Sequence, residues 1–165
     1  MKSTNQKQSG FTLIELLIYI SITAVAAMVF TAFTADVIKN ATQVLAAKEV
    51  RQNARFIINQ IDQAAKTASQ IVSVATNQLS LKDENGQDII FYLNPTEQAV
   101  YYNNGTLNQA ISNAAIKVTS LEFTSNSASS IHVKLIVEAK NPSGTPAGKY
   151  EFKLASTVVA RPLIY

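Results

Sequence analysis

Ser9-Gly10-Phe11-Thr12-Leu13-Ile14-Glu15-Leu16-Leu17 opens an apolar run that continues to Ala35. From Leu16 to Ala35 there are 20 consecutive uncharged residues, and a helix of that length spans roughly 30 Å, the thickness of a bilayer's hydrocarbon core. Glu15 is the charge at its entrance. A carboxylate at that depth is costly unless paired, so an acid inside a membrane segment marks a functional site. Its natural partner is a positive charge at the start of another copy of the chain. The preceding residues, Met1 to Gly10, are short and polar with Lys2 and Lys7 as their only charges, which orients the amino end toward the cytoplasm. A secretory signal would place a small-residue cleavage site after its apolar stretch. Ala24, Ala26 and Ala27 mimic one, but helix-competent apolar sequence continues past them, and the small glycine, Gly10, lies on the other side.

The order Gly10-Phe11-Thr12-Leu13-Ile14-Glu15 resembles the cleavage and assembly signature of type IV prepilins and of the pseudopilins of type II secretion. The resemblance implies that a membrane-embedded aspartyl peptidase, the prepilin peptidase, cuts after Gly10 and methylates the new amino terminus at Phe11. It also implies that Glu15 neutralises that amine on a neighbouring subunit during assembly. Pairing gains far more in hydrocarbon than in water, because the alternative for each group is an unpaired charge. The competing reading is a plain single-pass anchor with a chance acid near its cytoplasmic end. Where many major pilins carry a mid-segment proline, this chain has Thr31-Ala32-Phe33, which implies a straighter helix in a filament.

A chain of 165 residues has room for this anchor and one modest domain. The formal charge of +3 includes Lys2 and Lys7, so loss of residues 1–10 leaves +1 before the new amino terminus is counted. That balance gives no argument for a nucleic-acid partner. With no cysteine in the sequence, disulfides and thiolate metal sites are excluded.

Between Asp36 and Ser69 there is no glycine or proline, and Ala46, Ala47, Val50, Ala54, Ile57, Ile58, Ile61, Ala65 and Ala68 recur at helical spacing. Arg51, Arg55, Asp62 and Lys66 line a neighbouring face, either as a partner site or as a solvated surface, with Asp62 and Lys66 spaced as an i,i+4 ion pair. Ile38, Leu45 and Phe56, separated by 7 and 11 residues, project opposite the alanine-rich stripe. They are either filament helix contacts, buried where subunits pack, or scattered surface residues.

Downstream the period changes to 2. Short strands are expected at 71–75, 78–82, 88–93 and 98–102, with Asp83-Glu84-Asn85-Gly86 and Asn103-Asn104-Gly105 as tight turns. Residues 106–115 read as irregular, and 116–124, 130–140 and 149–160 as longer strands. In the second of these Ile131, Val133, Leu135 and Val137 alternate with His132, Lys134, Ile136 and Glu138. The expected fold class is α+β: a long N-terminal helix, half membrane-spanning and half amphipathic, packed on an antiparallel β-sheet, which is the pilin fold. The domains are 1–10 as a leader, 11–35 as the transmembrane or filament-core helix, 36–70 as its amphipathic continuation and 71–165 as the head. The patterns Ile89 to Leu93, Ala99 to Gly105, Val118 to Phe123 and Ser156 to Arg161 resemble minor pilins of the W type and the J-type pseudopilin, which implies a low-copy subunit near a filament tip.

Chemistry is sparse. His132, Lys134 and Glu138 share a strand face, either as an acid–base cluster or as its solvated side; no nucleophile or glycine-rich phosphate loop accompanies them. Residues 83–88 carry several oxygens but lack the spacing of a calcium loop, and residues 141–148 hold no acid; no metal and no cofactor are expected. Tyr92, Tyr101, Tyr102 and Lys117 offer stacking and charge for single-stranded DNA, though tyrosine is an ordinary strand residue. The function expected is that of a structural subunit, with other pilin or pseudopilin subunits, the peptidase, an inner-membrane assembly platform and the membrane as partners. It would lie in the cytoplasmic or inner membrane before assembly and in a surface pilus or periplasmic pseudopilus afterwards. The alternative is a binding module displayed by such a filament, an adhesin or DNA-uptake tip, recognising ligands through 103–115 and 141–148.

Overall fold

The computed structural model describes residues 11–127, 130–140 and 150–160. The leader at 1–10 and the loop at 141–148 lie outside them. The chain divides into two compact units, Met1–Asn40 and Ala41–Tyr165, and its first element is the helix α1 (Leu13–Thr67). In the first unit the apolar side chains are exposed all round: from Phe11 to Phe33 the large ones keep between 52% (Ile18, Tyr19) and 77% (Leu13) of their surface. That is the pattern of a helix whose surroundings are apolar.

In the second unit the same helix becomes one-sided. Val50, Ala54, Ile57, Ile58, Ile61 and Ala65 are buried, Ala46 and Ala47 half-buried, and Val44, Leu45 and Phe56 exposed. The stripe expected from the 3.6-residue period is therefore the face that packs on the sheets. The expected Asp62–Lys66 pair forms at 2.6 Å. Thr67 ends the helix by donating its hydroxyl to the carbonyls of Gln63 (3.1 Å) and Ala64 (3.2 Å). Two residues on, Ser69 donates its amide to Lys82 O (2.7 Å) and its hydroxyl to Asp83 O (2.6 Å), so the chain enters the first sheet as soon as it leaves the helix.

Among the described residues eight strands follow: β1 (Gln70–Ala75), β2 (Gln78–Lys82), β3 (Asp88–Asn94), β4 (Ala99–Asn103), β5 (Asn108–Ala110), β6 (Ile116–Ser127), β7 (Ser130–Ala139) and β8 (Glu151–Val159). They form two antiparallel meanders, β1-β2-β3-β4-β5 and β6-β7-β8. The single sheet expected from the pattern is thus two. Residues 106–115, read as irregular, contain the exposed strand β5, which pairs Tyr101 with Ala110 and Asn103 with Asn108 at the edge of the first sheet. A turn at Asn113, whose side-chain oxygen accepts the Ala115 amide (3.2 Å), starts the second. β6 also runs on to Ser127, through the stretch read as a break after Thr124. The sheets are joined through main-chain atoms at β6, where Val118 N–H donates to Gln98 O (2.7 Å) and Phe123 N–H to Thr76 O (2.9 Å). Gln98 holds a positive φ of 53°, an uncommon conformation for a side-chain-bearing residue, in the turn that presents this carbonyl.

The core is continuous from the helix into both sheets. Leu79, Leu81, Phe91 and Val100 of the first and Val118, Leu121, Phe123, Ile131, Val133, Leu135, Val137 and Val158 of the second join the helical stripe in one cluster. The opposite side of β6-β7-β8 carries cross-strand ion pairs, Lys117–Glu138 at 2.9 Å and Lys134–Glu122 at 3.3 Å, of the kind that stabilises a sheet modestly. The hydrogen bond from Lys134, with a second from Ser120, holds the Glu122 carboxyl below its ordinary range.

Two outcomes are expected of the full-length protein in detergent. Ile57→Ala lowers the unfolding free energy by about 2–5 kcal/mol because it empties a filled core position, whereas Phe56→Ala, one residue away on the exposed face, changes it by no more than about 0.5 kcal/mol. Denaturant unfolding followed by circular dichroism separates them. In an NMR pH titration Glu122 titrates below an ordinary glutamate, and Lys134→Met returns it to the usual range. Because the folded-state pKa is the lower one, the contribution of this pair is present above the unfolded pKa and is lost as pH falls through the folded value.

Candidate functional site

The apolar segment imposes its own hydrogen-bonding rule. Inside hydrocarbon no water completes a polar group, so each must find a partner in the chain. The hydroxyls of Ser21, Thr23 and Thr34 donate to the carbonyls four residues back, Leu17, Tyr19 and Phe30, at 2.8, 2.7 and 2.8 Å, and Thr31 to Met28 O at 2.9 Å. Small hydroxylated residues are therefore compatible with the membrane-length run. α1 contains the one segment among the described residues long and apolar enough to cross a membrane.

At its head, Phe11 and Thr12 precede the helix. Thr12 caps it: its carbonyl accepts the Leu16 amide (3.2 Å) and its Oγ1 accepts the Glu15 amide (3.3 Å). Thr12-Leu13-Ile14-Glu15 has the spacing of a capping box, in which the glutamate side chain would return to the cap amide. Glu15 instead accepts a hydrogen bond from Tyr19 Oη at 3.2 Å on its Oε1, and the Phe11 and Tyr19 rings meet edge to face, 6.0 Å between centroids and 70° between planes. Phe11, Glu15 and Tyr19 thus share one helix face. Tyr19 joins the two residues expected from the sequence, and its signal there is the i,i+4 spacing from the acid. Gly10 lies outside the described residues.

The residues proposed as helix contacts fall in both units. Ile38 is 62% exposed in the first. In the second, Leu45 is 65% and Phe56 49% exposed, and Phe56 borders an open depression of about 460 Å³ with Gln52, Asn53, Arg55 and Asn59. Of the two arginines on the face read as a partner site or a solvated surface, Arg51 donates Nε to the Tyr150 hydroxyl at 2.9 Å and lies 5.6 and 5.8 Å from the ring centres of Tyr150 and Phe152. It clamps the helix to the start of β8, a contact invisible in a sequence where the partners stand 99 positions apart.

The remaining chemical candidates resolve into structure. His132, Lys134 and Glu138 do lie on one face, but each has a cross-strand partner, Thr157 (3.3 Å), Glu122 and Lys117 respectively. The Asp83 carboxylate accepts the amides of Asn85 (2.9 Å) and Gln87 (2.7 Å), so it shapes its own turn. Among the described residues no group of three acidic or histidine side chains is placed to hold a metal. Tyr92 and Tyr101 stack at 5.5 Å on the outer face of the first sheet, with hydroxyls directed to Asn108 and Glu97; the bond to Glu97 raises the Tyr101 pKa. Tyr102 belongs to the other face, against Phe91 of the core, and Lys117 is engaged by Glu138. The four residues therefore do not form one stacking surface, and the tyrosines take the places of ordinary strand residues.

Residues 5–31 match the family model described as the prokaryotic N-terminal methylation motif. No curated protein and no solved structure matches the chain. The motif overlies the Phe11–Glu15–Tyr19 face and the apolar helix behind it, and it is a feature of structural proteins rather than enzymes. The chain thus carries an N-terminal methylation motif at the head of a long helix whose later turns pack on antiparallel sheets, a pilin-like α+β fold.

Proposed function

We propose that the chain is a structural subunit, of the low-copy kind, of a type IV pilus or a type II secretion-like pseudopilus. The observation that carries this reading is the pairing of the methylation motif with an apolar helix whose side chains are exposed on every side. Such a surface requires a bilayer before assembly and other subunits afterwards. Residues 1–10 form the leader, and the prepilin peptidase cuts after Gly10. Phe11 lies ahead of the first helical turn, where backbone is free of the helical hydrogen bonds that would shield a peptide bond. Its amine, once methylated, meets Glu15 of a neighbouring subunit. Residues 11–35 then form the filament core, 36–70 its amphipathic continuation and 71–165 the head. Ile38, Leu45 and Phe56 are covered by adjacent helices, and an inner-membrane assembly platform moves the subunit from the membrane into a pilus or periplasmic pseudopilus. The chain itself needs no cofactor for this work.

Intact mass of the protein from membranes of cells with and without the prepilin peptidase tests the reading. The expected mass in peptidase-bearing cells lacks Met1 to Gly10 and carries one added methyl group. Glu15→Ala is expected to be processed normally yet to stay in the membrane instead of entering sheared filaments. A leader retained in the presence of the peptidase sinks the proposal.

A further inference from the structure

Glu15 is held by a residue to which no role has yet been given. As a carboxylate in an apolar segment it needs a donor at all times, yet the neighbouring amine proposed above exists only after cleavage and assembly. Tyr19 supplies a donor within the same chain, its hydroxyl 3.2 Å from Glu15 Oε1. The geometry is directional. At the third helical position a glutamate would ordinarily swing back toward the cap amide; Thr12 is in place to receive it and already accepts the Glu15 amide, but the side chain runs toward Tyr19. The Tyr19 ring is itself braced by the edge-to-face contact with Phe11. One aromatic residue therefore touches the side chains of both residues that the proposed assembly contact uses.

We infer that Tyr19 is a positioning residue for Glu15. Its hydroxyl satisfies the acid while the subunit waits unassembled in the bilayer, and by engaging Oε1 it leaves Oε2 for the incoming amine. This inference rests on the membrane location read above. It separates Tyr19 from the other polar side chains of the segment, which donate to the carbonyls of their own helix.

The test uses the full, uncleaved chain from cells lacking the peptidase, so that assembly plays no part. With tyrosines labelled at Cζ and the protein in lipid nanodiscs, the Tyr19 resonance is the one that disappears in Tyr19→Phe. Glu15→Leu is expected to shift that resonance and leave the other tyrosines in place, and Glu15→Gln, which keeps an acceptor, to restore most of it. A Tyr19 signal indifferent to Glu15→Leu overturns the inference. Membrane retention in a pulse-chase supplies the second readout. Phenylalanine is the more apolar residue, so apolarity alone makes Tyr19→Phe neutral or favourable. The hydrogen bond instead makes it shorten the retention half-life by about threefold in the Glu15 chain, the order expected for one polar contact in a membrane, and not in the Glu15→Leu chain. Equal effects in the two backgrounds sink the inference. A wild-type chain that washes off membranes in alkaline carbonate would count against the membrane reading itself.

Discussion

The head depends on the burial of one helical stripe, Val50 to Ala65, against two sheets that share no strand. Neither meander covers both of its faces, and a sheet with an uncovered apolar face is not stable alone. The stripe supplies the missing layer to both, and its small residues matter as much as its large ones. Ala54 and Ala65 are fully buried beside Ile57 and Ile61, letting the helix approach closely while the isoleucines fill the space between strands. Ser69 and Arg51 secure this layer at either end, one by main-chain bonding into the first sheet and the other by reaching β8 of the second.

The amino-terminal unit obeys a different constraint, set by the medium. Its apolar side chains need no partner within the chain, while its few polar ones must be completed locally. Ser21, Thr23, Thr31 and Thr34 meet that demand through their own backbone. Glu15 does not turn back to the cap amide, and its hydrogen bond comes from a side chain one turn further on. The capping threonine and the acid thus do separate jobs within four residues: Thr12 completes the backbone, and Tyr19 completes Glu15.

Much of this was legible in the chain because it rests on periodicity. A stripe at 3.6 residues and alternation in 131–138 each follow from burial on one face, and both survive unaltered in the structure. The motif at residues 10–15 was legible for another reason, since its residue types and spacing are specific. What escaped were features that leave no periodic trace. β5 is a three-residue strand with every side chain exposed, so its existence depends on backbone pairing alone. Tyr101 and Tyr102 are neighbours in one strand and so point to opposite faces, one outward and one to the core. Arg51 reaches its aromatic partners across the whole head, and the Tyr19 hydrogen bond, though local, was obscured because tyrosine in an apolar run reads simply as apolar.

Both sheets are meanders, every strand bonded to its immediate neighbours in the chain. That arrangement keeps loop closures short, and short closures carry the smaller entropic cost. Each sheet pairs only sequence neighbours, so the contacts between distant parts of the head are those of the helical stripe with the second sheet and of β6 with the first. The head is thereby two locally closed sheets sharing one helical layer, and their strand pairing draws nothing from the first forty residues.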